Sequence, residues 1–155
     1  MIPRRKTWVF IFIVLVVIQF IQPKRNVSHG ISEHDITRAY TVPEHIRQTF
    51  TQKCYDCHSN HTRYPWYFHL QPIGWWLAAH IYDAKGELNF SEFATYDTEK
   101  GLDKLEEIVE VIREGTMPIR GYRLLHPESA VTEEEQRAIE AWVASIRRSA
   151  INAAP

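Results

Sequence analysis

The chain opens on a run of apolar side chains from Trp8 to Ile21, interrupted only by Gln19, with Arg4, Arg5 and Lys6 ahead of it and Lys24 and Arg25 behind it. This pattern predicts an export segment. The 17 residues between Lys6 and Lys24 sit at the lower limit for a spanning helix, and both basic flanks can snorkel to headgroups and extend its reach. A cleaved signal peptide is the rival, but cleavage wants small residues in an A-x-A-like arrangement. The first alanine is Ala39, and Ser28 with Gly30 makes a poor site in a polar context. The expectation is therefore an uncleaved anchor over residues 1–25, and the basic excess ahead of the span keeps the amino terminus in the cytoplasm.

Further along, the apolar spacing turns helical. Residues 42–53 begin near Pro43 and place Ile46, Phe50 and Cys54 four apart, which predicts a first helix. A second is expected from Trp75 to Asp83. A third follows Thr98, a possible N-cap, carries Leu102, Leu105, Ile108, Val109 and Ile112 on one stripe, and ends at Gly115 in the C′ position. The last opens with a capping box, Thr132 and Glu135, carries Ile139, Trp142, Val143 and Ile146 on its stripe, and closes at Arg147 and Arg148. No long alternating run signals a strand. The predicted fold is all-α, with residues 26–39 as linker, 40–149 as the helical domain and 150–155 as a tail.

Composition sharpens this. Of 155 residues, 18 are Lys or Arg and 19 are Asp or Glu, but residues 26–155 keep only 13 of the basic groups against all 19 acidic ones. Phosphate backbones repel such a domain, so a nucleic-acid partner is not expected. Two cysteines are too few for a disulfide scaffold. Ten of the 19 aromatic residues lie between Tyr64 and Tyr96, a concentration suited to walling in a flat apolar cofactor.

Both cysteines fall in Cys54-Tyr55-Asp56-Cys57-His58, the C-x-x-C-H arrangement of covalent haem attachment. On a helical turn, residues three and four apart share a face, so two sulfurs can reach two vinyl groups while His58 presents its imidazole to the iron. Three other readings compete. Structural zinc lacks a second cysteine pair, a thioredoxin-type dithiol would be expected at a strand-to-helix junction, and a plain disulfide gives no reason for the histidine. The expected cofactor is one haem c, joined through Cys54 and Cys57 with His58 as proximal ligand. Covalent attachment in bacteria is extracytoplasmic, which agrees with the export segment and places the domain in the periplasm, tethered to the inner membrane by a single pass.

The second axial ligand is sought in Met117, the only methionine besides Met1, in the loop Gly115-Thr116-Met117-Pro118. Its alternatives are a gap-filling core methionine or His80 as the ligand. His80 shares a predicted helical face with Trp76, and the pair is a candidate distal pocket. His61 lies too close to the attachment motif to cross to the opposite haem face. His29, His34, His45, His69 and His126 read as solvated or hydrogen-bonded side chains. Arg63, Tyr64 and Trp66 are candidates for the propionate edge, where a guanidinium or a phenol binds carboxylate.

A helix entering C-x-x-C-H, a Met-Pro loop after a later helix and a final amphipathic helix resemble the class I c-type cytochromes. Residues 59–97 depart from that pattern and are similar instead to a bacterial haem-binding domain family. The likeness is carried by Cys54 to His58, Ser59-Asn60 with Thr62, Tyr64-Pro65-Trp66-Tyr67, Trp75-Trp76 with His80, Leu88-Asn89-Phe90-Ser91, Met117-Pro118 with Tyr122, and His126-Pro127, and spans about residues 40–148. It implies a covalent haem in a cytochrome c-like helical fold with an aromatic-rich insertion, and no assigned reaction. The expected function is a membrane-anchored monohaem electron carrier rather than an enzyme, served by redox partner proteins of the cell envelope. A haem-based sensor or small-ligand binder and a peroxidase-like enzyme, each with an open sixth iron position, are the alternatives.

Overall fold

A computed structural model describes residues 4–153; the expectations for residues 1–3 and 154–155 lie outside them. The described residues are helical and turn-like, without a strand: α1 (Arg4–Ile18), α2 (Ile36–Ala39), α3 (Glu44–Lys53), α4 (Tyr55–His58), α5 (Ile73–Glu87), α6 (Thr98–Arg113), α7 (Arg120–Leu125) and α8 (Glu133–Ala153), with 3-10 turns at Trp66–His69, Phe90–Thr95 and Pro127–Ser129. The predicted all-α class holds.

The expected spanning helix is not supported by the length of α1. At 1.5 Å per residue, the 15 residues of α1 reach about 22 Å, short of a hydrocarbon core ~30 Å thick. Among the described residues no helix is long and apolar enough to cross a membrane. The winding loosens at Gln19 because its side chain turns to the domain, where it exchanges two hydrogen bonds with the Gln71 backbone, at 2.9 and 3.0 Å. Residues 26–39, expected as a linker, are packed rather than free. Ile36 is buried in the core, the Asp35 carboxylate caps α2 through Thr37, and the Ala94 amide donates to the His34 carbonyl.

Two apolar clusters organise the domain. In the larger, Phe50 of α3 meets Phe90 at 4.9 Å and Trp142 of α8 at 6.0 Å, above the predicted stripes Leu105, Ile108 and Ile112 of α6 and Ile139 and Val143 of α8. The smaller joins Tyr67 and Phe68 to Leu77 and Ile81 of α5. Cys54 packs against the first cluster and Cys57 against the second, so the short α4 bridges them.

Helix boundaries moved where side chains intervened. Asp97, not Thr98, caps α6 by accepting from the Lys100 amide at 2.8 Å, and Gly115 takes the expected C′ place with φ +67°. Helix α8 runs past Arg148 into residues set aside as tail, since no Gly or Pro interrupts it before Pro155.

The capping box of α8 forms as expected, and Glu135 has a second duty. Its carboxylate accepts from the Thr132 amide at 2.7 Å and from Lys53 Nζ at 2.6 Å, fastening α8 to the last turn of α3. Burial pushes the Glu135 carboxyl up, but the Lys53 and Thr132 hydrogen bonds outweigh it and hold it below the usual range. The unfolded chain therefore takes up this proton first, and the stabilisation is full above pH ~4.3 and fades as pH falls through the lower folded value. Glu135→Gln keeps a capping residue but removes the charge facing Lys53, whose side chain is 8% exposed. Urea unfolding at pH 7 should show a loss of about 1–2 kcal/mol, narrowing towards zero in acid. A loss equal at both pH values would assign the effect to shape, not charge.

Candidate functional site

Helix α3 ends on Cys54, whose amide donates to the Phe50 carbonyl at 2.9 Å, and the next turn, α4, carries Cys57 and His58. The His58 amide closes that turn on the Cys54 carbonyl at 2.9 Å. The motif thus lies on helical turns, as its spacing predicts. Opposite, α5 supplies the wall that positions His58: Nδ1 lies 3.1 Å from both the Ala84 and Leu88 carbonyls. Carbonyls only accept, so Nδ1 carries the proton and Nε2 keeps its lone pair. Burial lowers the His58 pKa, although the two carbonyls oppose it, and favours this neutral, ligating form.

Cys54, Cys57, His58, His80 and Met117 all line one cavity of about 410 Å³, between α3–α4, α5, α6 and the loop into α7. That volume is in the range of small-molecule and cofactor pockets. Its walls are chiefly aliphatic, from Leu88, Ile108, Val111, Ile112, Ile119 and Val131. Of the aromatic side chains between Tyr64 and Tyr96, only Phe90 reaches it; Tyr67 and Phe68 build the smaller core instead. Packing explains the difference: a short 3-10 turn needs its own apolar filling before it can wall a cavity.

Met117 is held at the end of α6, where the Val111 carbonyl accepts from both the Thr116 and Met117 amides at 3.0 and 3.2 Å. His80 donates from Nδ1 to the Trp76 carbonyl at 2.9 Å, with the two rings 4.1 Å apart. Both candidates for the second axial position therefore face the same space. Trp76 does not line it, but backs His80 and approaches α7 near Gly121.

The three propionate candidates stand elsewhere. The Arg63 guanidinium is taken up by Asp56, at 3.0 and 3.1 Å, and by the Thr51 and Gln52 carbonyls that end α3. Tyr64 packs on Phe68 and accepts from the Asn26 amide, and Trp66 is 76% exposed. Cations at the cavity come instead from Lys53 and Lys104, with Glu87 and Glu107 nearby. Lys104 donates to Glu107 at 2.6 Å. Its place one turn before Ile108, on the stripe of α6, was the available sequence signal.

Several quoted motifs interlock around His58. The Asn60 amide donates to Ser91 Oγ at 3.0 Å, its side chain donates to Glu92 and accepts from Asn89, and the Thr62 hydroxyl donates to the Asp56 carbonyl. These bonds lock the loop after the motif to the turn at Phe90.

The chemistry fits a porphyrin better than the rival occupants. Burial raises Cys54 to about 12 and, with Asp56 adding to it, Cys57 to about 11, whereas a redox dithiol requires a lowered thiol pKa. Among the described residues no group of three or more His, Cys, Asp or Glu is placed to hold a metal ion by itself. The chain matches the family model described as Haem-binding domain over residues 13–145. No curated protein and no solved structure matches it.

Proposed function

Because this chain belongs to the haem-binding domain family, we propose that the cavity beside α4 holds one haem, bound covalently through Cys54 and Cys57, and that the protein carries electrons at a membrane. The observation that carries this reading is the convergence of Cys54, Cys57, His58 and Met117 on one apolar cavity. Cys54 and Cys57 would hold the group through thioethers, each S–H adding across a vinyl C=C bond, sulfur to one carbon and hydrogen to the other, with no oxidant or reductant consumed. His58 would hold the iron through Nε2, the Ala84 and Leu88 carbonyls fixing the orientation of its ring. The bound group supplies a one-electron couple. Met117, on the loop after α6, would hold the group together with His58, and the aliphatic walls would keep water from it. A helix leading into the motif, the Met117 loop after α6 and a closing α8 support a cytochrome c-like arrangement.

The amino-terminal segment seats the protein in the bacterial inner membrane with the haem domain in the periplasm. Turn hydrogen bonds from Gln19, Phe20 and Ile21 carry the winding of α1 on to Ile21. Basic snorkelling and local thinning of the bilayer make up the remaining mismatch. No enzymatic step is required by this reading, and its partners are redox proteins of the cell envelope.

His80 on the cavity wall supports a second reading, a ligand-binding iron with a histidine beside its open position. Carbon monoxide separates the two. The reduced haem-loaded wild type should be six-coordinate and inert to the gas, Met117→Ala should bind it, and His80→Ala should behave as wild type. Rapid gas binding by the wild type would overturn the carrier and favour the sensor or peroxidase-like enzyme. Inertness of Met117→Ala together with binding by His80→Ala would transfer the ligand role to His80.

A further inference from the structure

The segment after α1 is fastened to the domain rather than hanging from it. Beyond the Gln19–Gln71 pair, the Gln71 side chain, itself buried, donates to Gln22 Oε1 at 3.1 Å and accepts from the Trp75 amide at 3.0 Å. The Trp75 indole N–H donates to the Ile21 carbonyl at 2.7 Å, and Arg25 donates to His69 Nε2 at 3.1 Å.

Asn26 completes the strap. It donates from its backbone to the Tyr64 oxygen at 2.5 Å and from its side chain to the Ser59 carbonyl and Thr62 Oγ1 at 2.7 and 2.9 Å. Its own oxygens accept from the Thr62 amide and Lys85 Nζ at 2.9 and 2.7 Å. Ser59 and Thr62 belong to the loop that follows His58, so the apolar helix is coupled to the cavity through Asn26.

Around the first half of this strap, four large apolar side chains face outward: Phe20 and Ile21 at the end of α1, and Leu70 and Ile73 on either side of Gln71. Lys24 and Arg25 stand exposed beside them. Exposed apolar groups next to paired cations, continuous with an apolar helix, match the interfacial layer of a bilayer, where side chains enter the acyl boundary and ammonium or guanidinium groups meet lipid phosphates.

We propose that the face formed by Phe20, Ile21, Leu70 and Ile73, flanked by Lys24 and Arg25, rests in the headgroup layer of a phospholipid bilayer. This fixes the orientation of the domain, and hence of the cavity, relative to the membrane. The proposal rests on the membrane seating of α1 proposed above and adds that the domain lies against the surface instead of swinging on a tether.

Lipid photocrosslinking of the full haem-loaded chain tests it, in vesicles of phosphatidylcholine and phosphatidylglycerol carrying a diazirine acyl chain, with adducts mapped by peptide mass spectrometry. Adducts are expected on α1 and also on the peptides holding Leu70 and Ile73, with none on the exposed face of α8 around Glu134. Leu70→Glu with Ile73→Glu changes only exposed side chains and should lose the second set while keeping the first. Adducts confined to α1 would overturn the resting face and leave the membrane seating standing. Absence of adducts from α1 and from the face would overturn both.

Discussion

Cys54→Ser combined with Cys57→Ser is expected to abolish all haem colour that survives denaturation and acidified-solvent extraction. Serine preserves size and a hydroxyl but cannot form the thioether. Burial pushes Cys54 up to about 12 and Cys57 up to about 11, so both are neutral S–H groups in the folded chain. Each also packs against a different apolar cluster, so some loss of packing accompanies the change. Circular dichroism separates these effects: helix content close to wild type with extractable haem shows that the covalent link alone was lost. Colour that stays with the denatured double variant would refute thioether attachment. Haem that is bound but extractable in the wild type itself would refute it equally, leaving noncovalent binding by the family fold intact.

How much of this site the sequence disclosed depends on how local each signal is. C-x-x-C-H is read within one helical turn, and both Met117 and His80 stand out by rarity or by their helical face; all of these line the cavity. The stripes of α6 and α8 were equally local: Leu105, Ile108, Ile112, Ile139, Trp142 and Val143 are buried, while Leu102, Val109 and Ile146 at their margins are half-buried. Arg63 misled because its partner, Asp56, lies inside the motif itself, and a guanidinium seven residues away is captured by the nearest carboxylate and by the free carbonyls at the end of α3. The aromatic concentration was a statement about composition, and composition does not say which ring faces a cofactor and which fills a second core. The strap had no sequence signature at all. Gln19 and Asn26 look like a break in an apolar run and the start of a linker, and their partners in the domain are 33 to 59 residues away.

The largest loss of stability is expected from Phe50→Ala. Phe50 has no exposed surface, and it joins α3 to the Phe90 turn and to Trp142 of α8. Truncation removes the ring's transfer energy and leaves a cavity that three separate elements would have to close together, a combination that costs about 3–5 kcal/mol. Phe50→Leu, nearer in volume, should cost less than half as much. Guanidinium unfolding of the detergent-solubilised chain, followed by far-ultraviolet dichroism, gives both values. Because the Phe50 carbonyl receives the Cys54 amide, the same substitution loosens the turn that presents the first thiol, and the yield of covalently bound haem should fall with it. Phe90→Ala offers a check on the cause. If the Phe50–Phe90 contact couples the two sites, the double variant loses less than the two single losses together, by about 0.5–1.5 kcal/mol. Strict additivity, or a loss below about 1 kcal/mol for Phe50→Ala, would mean that α3 is held by something other than this cluster.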